Sequence, residues 1–128
     1  MAKRKKILIV DDSVYQRQGL KKLLDENGYQ VFEAEDAIDG IQLFRKIKPD
    51  VVVMDINMPV MEGTDAVRYI KKIDHDAVVV MFSTLDDEKS VMEAIKAGAR
   101  DFITKPLQNK LMLDTLDRLI NNNPTGRK

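Results

Sequence analysis

A chain of 128 residues with 44% apolar side chains has room for one continuous core and no second domain. Lysine plus arginine balance aspartate plus glutamate at 21 each, which argues against a nucleic-acid or anionic-membrane surface as the main function. The absence of cysteine excludes disulfides and thiol catalysis, a single histidine argues against a multi-histidine zinc site, and no apolar run approaches the roughly 20 residues of a membrane span.

At the start of the chain, the basic AKRKK runs at once into ILIVDD, too short and too acidic for a signal peptide, so a cytoplasmic protein is expected. From there strand and helix patterns alternate five times. Strands are predicted at Lys6–Val10, Gln30–Ala34, Val51–Met54, Ala77–Phe82 and Asp101–Ile103. The first, third and fourth are apolar on both faces, as central strands covered by helices are, whereas QVFEA alternates like an edge. Leu20, Leu23 and Leu24 form the apolar face of a first helix, which Gly28 can end in a left-handed conformation. Ile38, Ile41, Phe44 and Ile47 mark the second, with Asp36 as its cap. Ala66, Val67, Ile70 and Ile73 mark the third; Val91, Ala94 and Ile95 mark the fourth, before a stop at Gly98; Leu113, Leu116 and Ile120 mark the last. Right-handed crossovers between consecutive strands would make an open, three-layer α/β sandwich. One domain is expected over 1–122, with a disordered tail over 123–128, and the ending NNNPTGRK reads as readily as a linker from a longer protein.

If the strands are parallel, their carboxyl ends share one edge, and there the chain places Asp11, Asp12, Asp55, Ser83 and Lys105. Adjacent carboxylates at Asp11 and Asp12 repel unless a cation or proton compensates. Asp12 or Ser13 can instead simply cap the next helix. A third acid at the end of another central strand is not explained by capping, and all-oxygen ligation suits Mg²⁺. Asp55, facing a metal, can act as a nucleophile toward phosphorus. In the following DINMPVMEG loop, Met58, Pro59 and Met61 read as loop packing, and Gly63 permits a sharp entry to the third helix. Ser83 or Thr84 can cap the helix starting near Asp86, a role that suits Thr84 better. Lys105 can offset the acids' repulsion and bind a phosphoryl oxygen, and a cis Lys105–Pro106 bond would aim its ammonium inward. His75 reads as a solvated surface residue. No glycine-rich phosphate loop follows a strand, so intrinsic nucleotide hydrolysis is disfavoured.

The set DD, D-x-N-M-P-x-M-x-G, S-T and K-P, in this order on these strand ends, closely resembles the response-regulator receiver family, from Lys6 to about Asn121. Within it the chain is similar to stand-alone chemotaxis regulators. The resemblance implies a flavodoxin-like fold with strand order 2-1-3-4-5. It implies that Asp55 accepts a phosphoryl group from a histidine kinase, that Asp12, Asp55 and the Asn57 carbonyl ligate Mg²⁺, and that Asp11 acts through metal-bound water. Lys105, Ser83 and the Thr84 amide would contact the phosphoryl oxygens. Movement of Ser83 would then let Phe102 fill vacated space, changing the face made by the fourth helix, fifth strand and fifth helix. The protein would be a phosphoacceptor that promotes its own phosphotransfer and dephosphorylation, more a substrate than an enzyme.

Three departures stand out: Ser83 where threonine is commoner, Thr84 where alanine is frequent, and Phe102 where well-known chemotaxis regulators carry tyrosine. The last leaves no phenol to bond a partner and weakens the case for a flagellar-motor switch component as target. The same motifs suit a phosphorelay carrier serving a histidine phosphotransfer protein, or a receiver cut from a regulator with an output domain. A phosphatase of the haloacid-dehalogenase type is disfavoured because adjacent Asp11 and Asp12 do not provide its D-x-D spacing. A monomer is expected, with dimerisation on phosphorylation left open, and Asn57 and Leu85 flank the site where they would govern water's approach.

Overall fold

The computed structural model describes residues 3–121. The chain alternates β1 (Lys6–Val10), α1 (Val14–Glu26), β2 (Gln30–Ala34), α2 (Ala37–Ile47), β3 (Val51–Met54), α3 (Gly63–Ile73), β4 (Val79–Ser83), α4 (Glu88–Ala97), β5 (Asp101–Thr104) and α5 (Asn109–Asn121). All strand pairs are parallel and the sheet order is β2-β1-β3-β4-β5. The winding reverses between β1 and β3, so their carboxyl ends flank the crevice where such sheets bind ligands. The expected tail lies outside the described residues.

Strand alternation explains the three layers. Leu8, Val10, Val52, Met54, Val79 and Met81 face a core shared with α2, α3 and α4. Their neighbours Ile7, Ile9, Val51, Val53, Val80 and Phe82 face a second core against α1 and α5. A strand buried on both sides has no polar position to spare, which is why β1, β3 and β4 read as unbroken apolar runs. Burying each such aliphatic side chain stabilises the fold by about 1.5–3 kcal/mol, so these strands form a rigid floor for whatever their ends carry.

Helix ends follow local chemistry. Ser13 caps α1 by accepting from the Gln16 amide at 3.2 Å, and Asp36 caps α2 through the Asp39 amide at 2.8 Å. After α1 the Tyr29 amide returns to the Leu24 carbonyl and the Gly28 amide to that of Asp25. This Schellman closure needs the left-handed Gly28 (φ 87°), as its position in the sequence suggests.

Several local expectations are corrected. Strand β4 begins at Val79 rather than Ala77, because the Ala77 carbonyl is taken by Lys71 Nζ (2.9 Å) instead of a neighbouring strand. It ends one residue later, since Ser83 pairs with Thr104, which likewise extends β5. Ile38, Ile73 and Ile95, expected on buried faces, are exposed. The faces pressed against the sheet are instead Ala37–Gly40–Phe44 on α2 and Ala94–Ala97 on α4, where small residues let the helix axis approach and turn the isoleucines toward the rim. On α5, Met112, Thr115 and Leu119 join Leu116 as the buried stripe, with Leu113 and Ile120 at its margin. Neither Ser83 nor Thr84 caps α4: Asp87 does, accepting from the Ser90 amide at 3.1 Å.

Candidate functional site

The acids stand where the sheet ends. Beyond β1, the Asp11 amide donates to the Ala34 carbonyl at 3.1 Å; beyond β3, the Asp55 amide donates to the Val10 carbonyl at 3.0 Å. Each carboxylate is thus attached to backbone still held in the ladder, not to a free loop. Lys105 is fixed likewise, its amide donating to the Ser83 carbonyl at 3.0 Å. The Lys105–Pro106 bond is cis, as anticipated.

Four side chains converge. Carboxylate oxygens of Asp11, Asp12 and Asp55 all lie within 4.8 Å of one another. Lys105 Nζ sits 2.7 Å from Asp11 Oδ2 and 3.2 Å from Asp55 Oδ2, with 5.5 Å to the Phe82 ring centroid. Asp11 is only 4% and Asp55 8% exposed, whereas Asp12 is exposed. The remaining oxygens of the buried pair are also engaged: Asp11 Oδ1 accepts from the Ser13 amide at 2.9 Å and Asp55 Oδ1 from the Ile56 amide at 2.7 Å. Ser13 therefore does the capping that was one reading of this segment, and Asp12 is left to face the cluster.

The electrostatics favour a cation. Burial alone would lower the Lys105 pKa, but the hydrogen bond to Asp11 and the fields of Asp55 and Asp11 outweigh it and hold the ammonium above its ordinary value. Its charge is therefore secure at neutral pH. Three carboxylates against one ammonium still leave two negative charges uncompensated, which matches a divalent ion with oxygen ligands.

Around this cluster, Ser83 is buried and its Oγ accepts from the Leu85 amide at 3.2 Å, while Thr84, Asn57 and Leu85 are exposed. Phe102 packs partly buried on the α2–α3–α4 side of the sheet. Met58 is buried in that core and Met61 packs against it, as loop-packing residues should. His75 is a surface residue remote from these contacts, 3.5 Å from Asp76. Gly63 has a reason beyond turn formation. A Cβ there would fall 1.9 Å from the Asp55 carbonyl oxygen, and its amide donates to the Ile56 carbonyl at 2.7 Å. The loop after β3 is thereby folded tightly back on the residue that carries the central carboxylate.

Arg17 was not anticipated. From the second turn of α1 its Nη1 donates to the Asp11 carbonyl at 2.6 Å and its Nε to Glu33 Oε1 at 3.2 Å. The only trace in the sequence is an arginine one helical turn after the Ser13 cap.

The family model for the response regulator receiver domain matches residues 7–117. The chain is 41% identical to the chemotaxis protein CheY of Thermotoga maritima over 116 residues, covering 90% of this chain and 97% of that one. A CheY-like receiver domain protein from Methanospirillum hungatei superposes with a TM-score of 0.91 at 25% identity, over 96% of this chain and 98% of that chain. In the CheX–CheY–BeF₃–Mg²⁺ complex from Borrelia burgdorferi, the similar chain gives a TM-score of 0.86 at 30% identity, covering 90% of this chain and 88% of that one. No helix among the described residues is long and apolar enough to cross a membrane.

Proposed function

Since this chain belongs to the response regulator receiver family, and is a CheY-like regulator of two-component signal transduction, we propose that Asp55 is its phosphoacceptor. The observation that carries this reading is the buried Asp55 carboxylate, held 3.2 Å from Lys105 Nζ and within 4.8 Å of the Asp11 and Asp12 oxygens. A nucleophilic carboxylate needs fixed position and a neighbouring positive charge for the oxygens of the group it receives, and both are here.

Asp11, Asp12, Asp55 and the Asn57 carbonyl would hold Mg²⁺, which when bound supplies positive charge for the phosphoryl oxygens. An Asp55 oxygen attacks phosphorus in line, and the bond to the donor's histidine nitrogen breaks. Lys105, freed from its pairing with Asp55, follows the charge onto a phosphoryl oxygen; the Ser83 hydroxyl and the Thr84 amide supply further donors. Because this chain provides these groups, a small phosphodonor should serve in place of a histidine kinase, and the same arrangement would admit water for the reverse loss of phosphate.

The switch follows from Ser83. Its Oγ now accepts from the Leu85 amide and keeps its proton to give. A phosphoryl oxygen on Asp55 would draw that hydroxyl inward, and Phe102 on β5 would move into the space vacated. Met92 and Ile95 on α4 and Leu111 on α5 are exposed apolar residues flanking β5, and they support this face as the docking surface for a target protein. Relatives named for chemotaxis make a motor-switch component the first partner to test.

Intact mass after treatment with acetyl phosphate, with and without Mg²⁺, tests the site. A Mg²⁺-dependent gain of about 80 Da (the order of one phosphoryl group), lost in Asp55→Ala, is the expected result. Retained stoichiometric labelling in Asp55→Ala overturns it.

A further inference from the structure

We infer that Arg17 is a positioning residue for the acid pair, holding the Asp11–Asp12 peptide so that Asp12 faces Asp55 across a cation site. The inference rests on the reading of that site as the Mg²⁺ centre.

Asp12 is exposed, yet its carboxylate belongs to the cluster whose oxygens lie within 4.8 Å of one another. Three like charges left to themselves would separate, and an exposed side chain is free to do so. What keeps Asp12 in place is therefore its backbone. The Asp11 carbonyl belongs to the planar peptide unit that ends at the Asp12 Cα, so its orientation fixes the N–Cα bond from which the Asp12 side chain branches. One end of the Asp11 residue is held by its amide on the Ala34 carbonyl, and its side chain by the Ser13 amide and Lys105. Its carbonyl is held by Arg17 Nη1 at 2.6 Å.

Arg17 is itself anchored rather than adventitious. Its side chain is 12% exposed, and its Nε is paired to Glu33 on β2, the strand beside β1. A guanidinium can grip a carbonyl with one nitrogen and a carboxylate with another; a lysine ammonium on its single flexible stem cannot reproduce that rigid fork. The helix α1, the edge strand β2 and the acid-bearing turn are thus tied at one group.

Charge and positioning predict opposite signs. As a nearby cation, Arg17 opposes Mg²⁺ binding, so a charge-only role makes Arg17→Met bind Mg²⁺ more tightly. As a positioning group supporting ligands from outside, its loss weakens binding by about tenfold or more.

The test is calorimetric titration of the unphosphorylated protein with MgCl₂, alongside thermal unfolding in metal-free buffer. Arg17→Met is expected to raise the Mg²⁺ dissociation constant about tenfold, Arg17→Lys to fall between it and wild type, and Glu33→Gln, which leaves Arg17 whole but removes the charge of its anchoring pair, to raise it about two- to fivefold. An unchanged or tighter constant in Arg17→Met overturns the inference, even if thermal stability falls, because that is the signature of packing alone. Should Arg17→Met not fold, Arg17→Lys decides on the same criterion. Wild type that binds no Mg²⁺ overturns the cation-site reading itself, an outcome distinct from wild type that binds and variants that bind equally.

Discussion

Replacing Lys105 by methionine keeps an unbranched stem beside Phe82 but removes the ammonium that lies 2.7 Å from Asp11 and 3.2 Å from Asp55. Two buried carboxylates then face each other without a protein cation. Breaking a buried ion pair by deleting one partner typically costs about 3–5 kcal/mol. The loss has a ceiling, however, because one carboxylate can take a proton. For an ordinary aspartate that protonation costs about 4 kcal/mol at pH 7 and about 1.5 kcal/mol at pH 5. Lys105→Met is therefore expected to lose about 3–4 kcal/mol at pH 7 and about 1.5 kcal/mol at pH 5. Excess Mg²⁺ should narrow the gap at pH 7, since it supplies the missing charge to the folded state alone. Urea unfolding of both proteins at the two pH values, with Mg²⁺ or with chelator, measures each quantity, and effects of distant groups cancel in the difference. A loss below about 1 kcal/mol, the range of a solvated ion pair, would mean that Lys105 does not hold the two carboxylates as a buried pair. So would a loss that stays constant between pH 7 and pH 5 and ignores Mg²⁺.

Three further outcomes follow. Gly63→Ala places a methyl group against the Asp55 carbonyl oxygen, 1.9 Å away before relaxation, and should destabilise by about 3 kcal/mol or more while slowing phosphorylation; thermal unfolding and acetyl phosphate labelling read the two effects. Ser13→Ala removes the acceptor for the Gln16 amide and is expected to cost about 1 kcal/mol in chemical unfolding, with Asp55 labelling retained. Because the Lys105 pKa is raised in the folded state, its stabilisation is complete below its ordinary value of 10.5 and disappears as pH rises through the higher folded value; the stability gap between wild type and Lys105→Met should therefore shrink only above about pH 10.5 in an alkaline titration of unfolding.

Much of the molecule was legible in the order of its residues. Strands β1, β2 and β3 begin and end where the sequence pattern places them, an apolar run in β1 and β3 and an alternating one in β2. Asp36 and Gly28 act at the helix ends as their types suggest. Asp11, Asp12, Asp55, Ser83 and Lys105 could be gathered from sequence because parallel strands joined by right-handed crossovers place all their carboxyl ends on one edge. These features depend on local period and on a short list of permitted topologies, both of which a sequence carries.

Other features required the packed chain. Two adjacent aspartates have equal claims in sequence, yet Asp11 is buried against Lys105 while Asp12 stays exposed at the rim of the same cluster, a choice made by the strand's pleat, by the Ser13 amide that bonds the Asp11 carboxylate and by the Ala34 carbonyl that holds the Asp11 amide. Ile38 and Ile95 lie outside the cores because α2 and α4 approach the sheet on their small residues, which periodicity alone weights too lightly, and Ile73 is exposed as the last residue of α3. Asp87 rather than Thr84 caps α4, since the connection after β4 runs on before the helix can start. Arg17 and Gly63 matter through what lies across from them: a carbonyl six residues back and another eight residues back, each brought near by the fold. Local pattern carries the elements, their order and the chemistry collected at the sheet edge; which group faces which is settled by packing, because that depends on distances between segments that no local pattern encodes.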